Sequence, residues 1–179
     1  MKTQVAFLGV VLALSATAMQ AQTSNWTQIR SGIPPSDSEL TASVQILIDR
    51  GDHQRNGQRF VAAQVAYRDA ADMARKQGHL PSLSMWRLAN SYFADGNLTD
   101  AAGVLDKLTN EAARHGDLPV EALAIFYSAW LNGQAGRGRE MTSRIEQLET
   151  LLRSPYLPVE LRNNLAQRLA EPRTIAVKR

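Results

Sequence analysis

The sequence predicts an all-helical domain of stacked antiparallel helix pairs, about three pairs followed by a C-terminal capping helix. Three observations carry this expectation. Apolar residues recur at helical spacing, and no stretch of strand length alternates apolar with polar residues. Gly and Pro breaks cut the chain into segments of helix length. Part of the sequence also matches itself after a shift of 38 residues, the step from Gly78 to Gly116.

Ahead of the helical part stands a segment of another kind. Met1 and Lys2 make a short basic start, and Val5 to Leu14 is an apolar run interrupted only by Gly9. Ala16-Thr17-Ala18 then offers a small-x-small site, with Ala21 as a second cleavage point. This order is that of a secretory signal, expected to be removed after Ala18 or Ala21. The apolar run falls short of the roughly 20 residues a bilayer span needs. The expected product is exported, periplasmic or extracellular, soluble and not inserted in a membrane. The chain has no cysteine, so disulfides, thiol nucleophiles, cysteine-type zinc sites and a lipoprotein anchor are all excluded.

Removing 21 of the 179 residues leaves about 158, enough for one domain with a real core. Loss of Lys2 lowers the formal net charge from +3 to +2. Arginines outnumber lysines, but they are scattered among Asp and Glu. That is a solvated mixed-charge surface, not the clustered stripe that nucleic acid requires, so no nucleic-acid partner is expected.

The elements follow in order. Residues 22–35 are polar and end in Pro34-Pro35, an extended lead-in. The helical domain is expected over 36–171. Ser36 with Glu39 three residues on matches a capping box, and Leu40, Val44, Leu47 and Ile48 follow at helical spacing. Asn56-Gly57 breaks this helix. Phe60 to Gln77 is an Ala-rich helix stopped by Gly78. Leu80-Pro81 opens the next, which runs to Ala94 before the turn Asp95-Gly96-Asn97. Leu98 to His115 ends at Gly116, and Leu118-Pro119 opens a helix to about Gln134. After Gly136-Arg137-Gly138 comes Arg139 to Arg153. Ser154-Pro155 breaks it, Leu157-Pro158 opens the last helix, and residues 172–179 are a tail.

The self-match covers two units, and Gly136 and Leu157-Pro158 continue it only with one or two added residues; the competing reading is a helical bundle with a chance period. Shifted by 38, as from Gly78 to Gly116, Ala63 falls on Ala101, Tyr67 on Leu105, Ala74 on Ala112, Leu80-Pro81 on Leu118-Pro119 and Tyr92 on Trp130. Each unit is thus a helix pair. One pair cannot bury its apolar face alone, which is why three pairs and a cap are expected together.

In Ser82 to about Gly116, Met85, Leu88, Ala89 and Tyr92 fall at the W-x-x-L-G-x-x-Y positions of a first helix. Gly96 falls at the turn, and Ala101 and Leu105 at the small and large apolar positions of a second helix. On these residues the chain resembles the tetratricopeptide repeat family, over roughly residues 36–153. The match is in character more than identity: Met85 replaces Trp and Ala89 replaces Gly. The period is also a few residues longer than the usual ~34. In the preceding unit Gly51 holds the small position, and in the third bulky Tyr127 does. The resemblance implies an α-solenoid and a concave surface lined by the first helices. It implies that Leu83, Trp86, Asn90 and Phe93 line a peptide-binding groove; the competing reading is that Trp86 and Phe93 are core, packed against the neighbouring first helices. Their counterparts are Asp52, Arg55 and Asn56 in the preceding unit and Glu121, Ser128 and Asn132 in the following one.

No catalytic constellation stands out in the sequence. G-x-S-x-G, a Gly-rich phosphate loop and H-E-x-x-H are all missing, and His53, His79 and His115 are far apart. No catalytic, cofactor-binding or metal-binding residues and no cofactor are expected. Arg50-Gly51-Asp52 spells an adhesion tripeptide, but within a helix it is not presented as a loop. Asn97-Leu98-Thr99 and Asn25-Trp26-Thr27 are sequons of use only to a host that glycosylates. The expectation is a non-enzymatic interaction module for a protein or peptide partner. The competing reading is an exported enzyme, or a helical accessory domain, acting on cell-envelope material.

Overall fold

The chain divides into two units, Met1–Gly32 and Ile33–Arg179. The computed structural model describes Ile33 and residues 39–169, all in the second unit. The expected signal segment, the lead-in apart from Ile33, the cap at Ser36 and the 172–179 tail lie outside the described residues. Those residues form seven helices and no strand: α1 Ala42–Asn56, α2 Phe60–Lys76, α3 Ser82–Ala94, α4 Leu98–His115, α5 Leu118–Gln134, α6 Gly138–Leu151 and α7 Val159–Arg168. From α1 to α6 each helix packs against the next, α1 also touches α3, and α7 touches α5. None of these helices is long and apolar enough to cross a membrane.

The joints between helices repeat one local design. Gly78, Gly96, Gly116 and Gly136 all have left-handed backbone, with φ between 71° and 81°. At Gly96 the glycine N–H donates to the Phe93 carbonyl, and the next N–H, of Asn97, donates to the Tyr92 carbonyl. The same two bonds recur at Gly78, Gly116 and Gly136. They satisfy carbonyls that a helix end leaves without partners. The side chains of Asn97 and Asp117 then cap the next helix, accepting from the N–H groups of Asp100 and Val120 at 3.1 and 3.0 Å.

The first joint departs in an instructive way. Asn56-Gly57 is the break in the sequence, yet Gly57 has ordinary φ, and Gln58 takes the left-handed position at φ 58°. Its N–H donates to the Arg55 carbonyl, as at the other joints. A residue with a Cβ is disfavoured there by about 1–2 kcal/mol. Part of that is offset by the greater freedom glycine has in the unfolded chain. Gln58→Gly is therefore expected to raise stability by about 0.5–1 kcal/mol, read as a higher urea midpoint. A lower midpoint would contradict the geometry of this joint.

The core runs along the shared faces. Ala63, Ala66, Ala70, Ala71 and Ala74 are the buried side of α2, with Tyr67 among them. Such small side chains let neighbouring helices come close. Val44, Ile48, Ala70 and Ala74 form one cluster, joined by Leu47, Met73 and Leu83. Gly51 is buried, and a Cβ there would run into the Tyr67 ring; Ala89 is fully buried. Gly51 therefore occupies the close-packed position expected of it, and Ala89 lies in the core. Helix α5 is buried on every side from Ala122 to Gly133, as a helix at the centre of a domain must be.

The start of the domain corrects the sequence reading. The first helix begins at Ala42, with Thr41 before it, so Glu39 does not serve as the third residue of a capping box. Its carboxylate is fully buried at the start of α3 instead. It accepts from the Leu83 and Ser84 N–H groups at 2.7 and 2.8 Å, and from the Ser82 and Ser84 hydroxyls at 2.9 and 2.8 Å. Unpaired N–H groups and the positive end of the dipole make a helix start the favoured place for a buried carboxylate. Pro81 and Pro158 likewise stand just before the first helical residue, as caps, while Pro119 lies within the first turn of α5.

Candidate functional site

Helix α3 presents its polar and aromatic residues between α1 and α5. Helical residues advance by about 100° each, so Asn90 lies between Arg87 on one side and Trp86 and Phe93 on the other. Arg87 turns toward α1, its terminal nitrogen 3.6 Å from Asp52. Trp86 and Phe93 turn toward α5. The Trp86 ring lies 4.6 Å from Tyr127 and the Phe93 ring 5.8 Å from Trp130, both tilted. Phe126 meets the edge of Tyr127 at 5.2 Å, and the Arg168 guanidinium stands 4.8 Å over Phe126.

The α1 side is a charged cluster. Asp52 accepts a 2.5 Å hydrogen bond from the Tyr67 hydroxyl and has Arg55 at 4.0 Å as well as Arg87. Burial, reinforced by that bond to a carboxylate, pushes the Tyr67 phenol above its ordinary range. Tyr67 therefore stays a donor. The Arg87 Nε–H is buried and meets no acceptor.

A second polar chain runs through α4, α5 and α6. The Ser128 hydroxyl donates to Asp106 at 2.5 Å, and Arg144 meets the same oxygen at 3.0 Å. The Asn132 amide donates to the Ser128 carbonyl at 2.9 Å. Its own Oδ1, and the Nδ2 of Asn90, are buried with no hydrogen-bond partner. Asn90 is 7% exposed and Asn132 1%. A buried polar group left unsatisfied costs roughly 1–3 kcal/mol, so two on neighbouring helices call for an explanation.

The residues expected to share one surface thus separate. Asp52, Arg55, Asn90, Ser128 and Asn132 belong to the polar parts of α1, α3 and α5. Trp86 is 1% exposed, a packed side chain between α3 and α5, and Phe93 is half-buried beside it. Leu83 packs on the α1–α2 cluster. Asn56 is exposed at the end of α1. Glu121 lies apart, at the start of α5, in a cleft lined by Gln147, Thr150, Leu151, Arg153 and Ser154, where burial raises its carboxyl pKa.

Tyr67, Arg87, Asp106, Arg144, Tyr127 and Trp130 take part although the sequence reading did not select them as site residues. One signal was available for two of them. Asp106 and Arg144 are opposite charges one 38-residue step apart, the step of Gly78 to Gly116, and they stand on α4 and α6. His79 and His115 also come together, lining a recess with Glu111 and Arg114, where Arg75 makes a two-bond fork to Glu111 at 2.9 and 3.0 Å. Among the described residues no three His, Asp or Glu side chains group as a metal site would.

Fold and site together define an all-helical domain whose successive helices pack on one another and whose first, third and fifth helices carry a polar and aromatic inner layer. Compared with known proteins, the chain matches no family model, no curated protein and no solved structure.

Proposed function

We propose that this chain is an exported, non-enzymatic interaction module of tetratricopeptide-like helix pairs, holding an extended peptide or protein segment along α1, α3 and α5. The observation that carries the reading is the pair of buried, unpartnered amide atoms, Asn90 Nδ2 and Asn132 Oδ1. One offers a donor and the other an acceptor, the two groups a peptide backbone requires. Half-buried Phe93, one turn from Asn90, supplies apolar surface of the kind that anchors binding partners. The repeat reading draws support from the joints, where Gln58, Gly96 and Gly136 take one left-handed position and Gly78 and Gly116 the other. Export rests on the order of basic, apolar and small residues in the first 21 positions.

The test is capture from a cell-envelope extract by the purified protein and by Asn90→Ala. Wild type should retain one defined partner, and the variant should lose most of it with its unfolding midpoint unchanged. Equal capture by both would overturn the assignment of Asn90. Turnover of cell-wall fragments by the protein, with no partner retained, would favour the enzymatic reading.

A further inference from the structure

Glu121 was expected in the groove but lines a cleft of its own. It stands in the first turn of α5. Gln147, Thr150 and Leu151 come from the end of α6, and Arg153 and Ser154 from the joint that follows. The cleft has a volume of about 540 Å³, a size common among ligand pockets, and its exposed lining is mostly apolar. It opens to solvent on one side, so a side chain can enter while its backbone stays outside.

The Glu121 carboxylate is half-buried in this cleft. Among the described residues no donor or cation meets it, and burial raises its pKa. Arg153 is the one cation of the described lining, and it is exposed and not paired with Glu121. A carboxylate drawn partly out of water gains most from an opposite charge brought to it. Thr150 points to the same kind of guest. Its hydroxyl donates to the Glu146 carbonyl at 3.0 Å, so its oxygen is left as an acceptor. A carboxylate or phosphate would meet Glu121 as a like charge. A compact ammonium on a four-carbon stem meets the carboxylate with its charge and Leu151 with its hydrocarbon, and that is the lysine side chain.

We propose that this cleft holds a lysine side chain of a protein or peptide partner, with its ammonium against Glu121 and Thr150 and its stem along Leu151. The site is built from α5, α6 and the joint after α6, so it does not rest on the reading of Asn90.

The test is an NMR titration of the purified protein with Nα-acetyl-lysine methylamide, a lysine side chain with no other charge. The amides of Gln147, Thr150 and Leu151 should shift together and saturate with a Kd of about 1–10 mM. The norleucine derivative, with the same stem and no ammonium, should bind about tenfold more weakly. Glu121→Gln should weaken lysine binding about tenfold, and Arg153→Gln should strengthen it about twofold by removing a like charge. If Glu121→Gln fails to fold, Arg153→Gln and the norleucine comparison decide. An anion site would respond in the opposite sense to both substitutions, and acetate would shift the same amides; that result would overturn the proposal. Equal binding of norleucine, tighter binding of the arginine derivative, or no shift of these amides at about 100 mM lysine derivative would overturn it too. None of these outcomes bears on partner capture at Asn90.

Discussion

Glu39→Ala should unfold at a much lower urea concentration than wild type, with a loss of about 3–5 kcal/mol. The carboxylate is fully buried and accepts four hydrogen bonds at the start of α3. Two of the donors are backbone N–H groups that have no intrahelical partner, and two are buried hydroxyls. Removing Glu39 takes the acceptor they share away from all four. It also releases the segment before α1 from a helix 43 residues further on, the separation from Glu39 to Ser82. Glu39→Gln keeps one acceptor oxygen but turns an NH₂ toward donors, so it should lose less than Ala yet remain well below wild type. Urea unfolding followed by circular dichroism reads all three. A midpoint unchanged in Glu39→Ala would mean that the carboxylate does not occupy this position in solution.

The second large effect is expected at Trp86. The side chain is 1% exposed and its ring stands 4.6 Å from Tyr127, which in turn meets Phe126. Trp86→Ala should cost about 3–5 kcal/mol, the loss typical of a truncated core aromatic. Trp86→Phe should recover part of it. The readout is again the urea midpoint, checked at Tyr127 by Tyr127→Ala, whose effect should not add fully to that of Trp86→Ala because the two rings share one contact. A stable Trp86→Ala that has lost its partner would instead make Trp86 a ligand anchor. The burial of Trp86 is also why capture experiments are better read at Asn90, where truncation removes a group whose Nδ2 bonds to nothing inside the protein.

The limits of the sequence reading are physical and fall at particular residues. Helix Leu98–His115 was legible to the residue and Leu118–Gln134 nearly so, because a left-handed glycine and an Asn or Asp cap act within five or six positions of one another. Gly51 was legible because a small residue at a fixed place in a period implies close approach, here to the Tyr67 ring. Glu39 was misassigned because Ser-x-x-Glu is a valid local cap, and nothing nearby in the chain reveals that the start of α3 competes for the same carboxylate. Gln58 was missed because Gly57, beside it, is the residue normally given the left-handed turn.

The sequence by itself determined that this domain is helical, where its helices after the first begin and end to within a few residues, and which positions recur along the chain. Those properties come from backbone preferences and from hydrogen bonds that close over a few residues. Only the tertiary structure decided that Tyr67 and two arginines converge on Asp52, that Trp86 is spent on packing against Tyr127, and that Asn90 and Asn132 are left with buried atoms unpaired. Each depends on how far one helix is rotated about its axis against the next. A rotation of a few tens of degrees exchanges a neighbour's carboxylate for its methyl groups, and no local rule of the chain sets that angle.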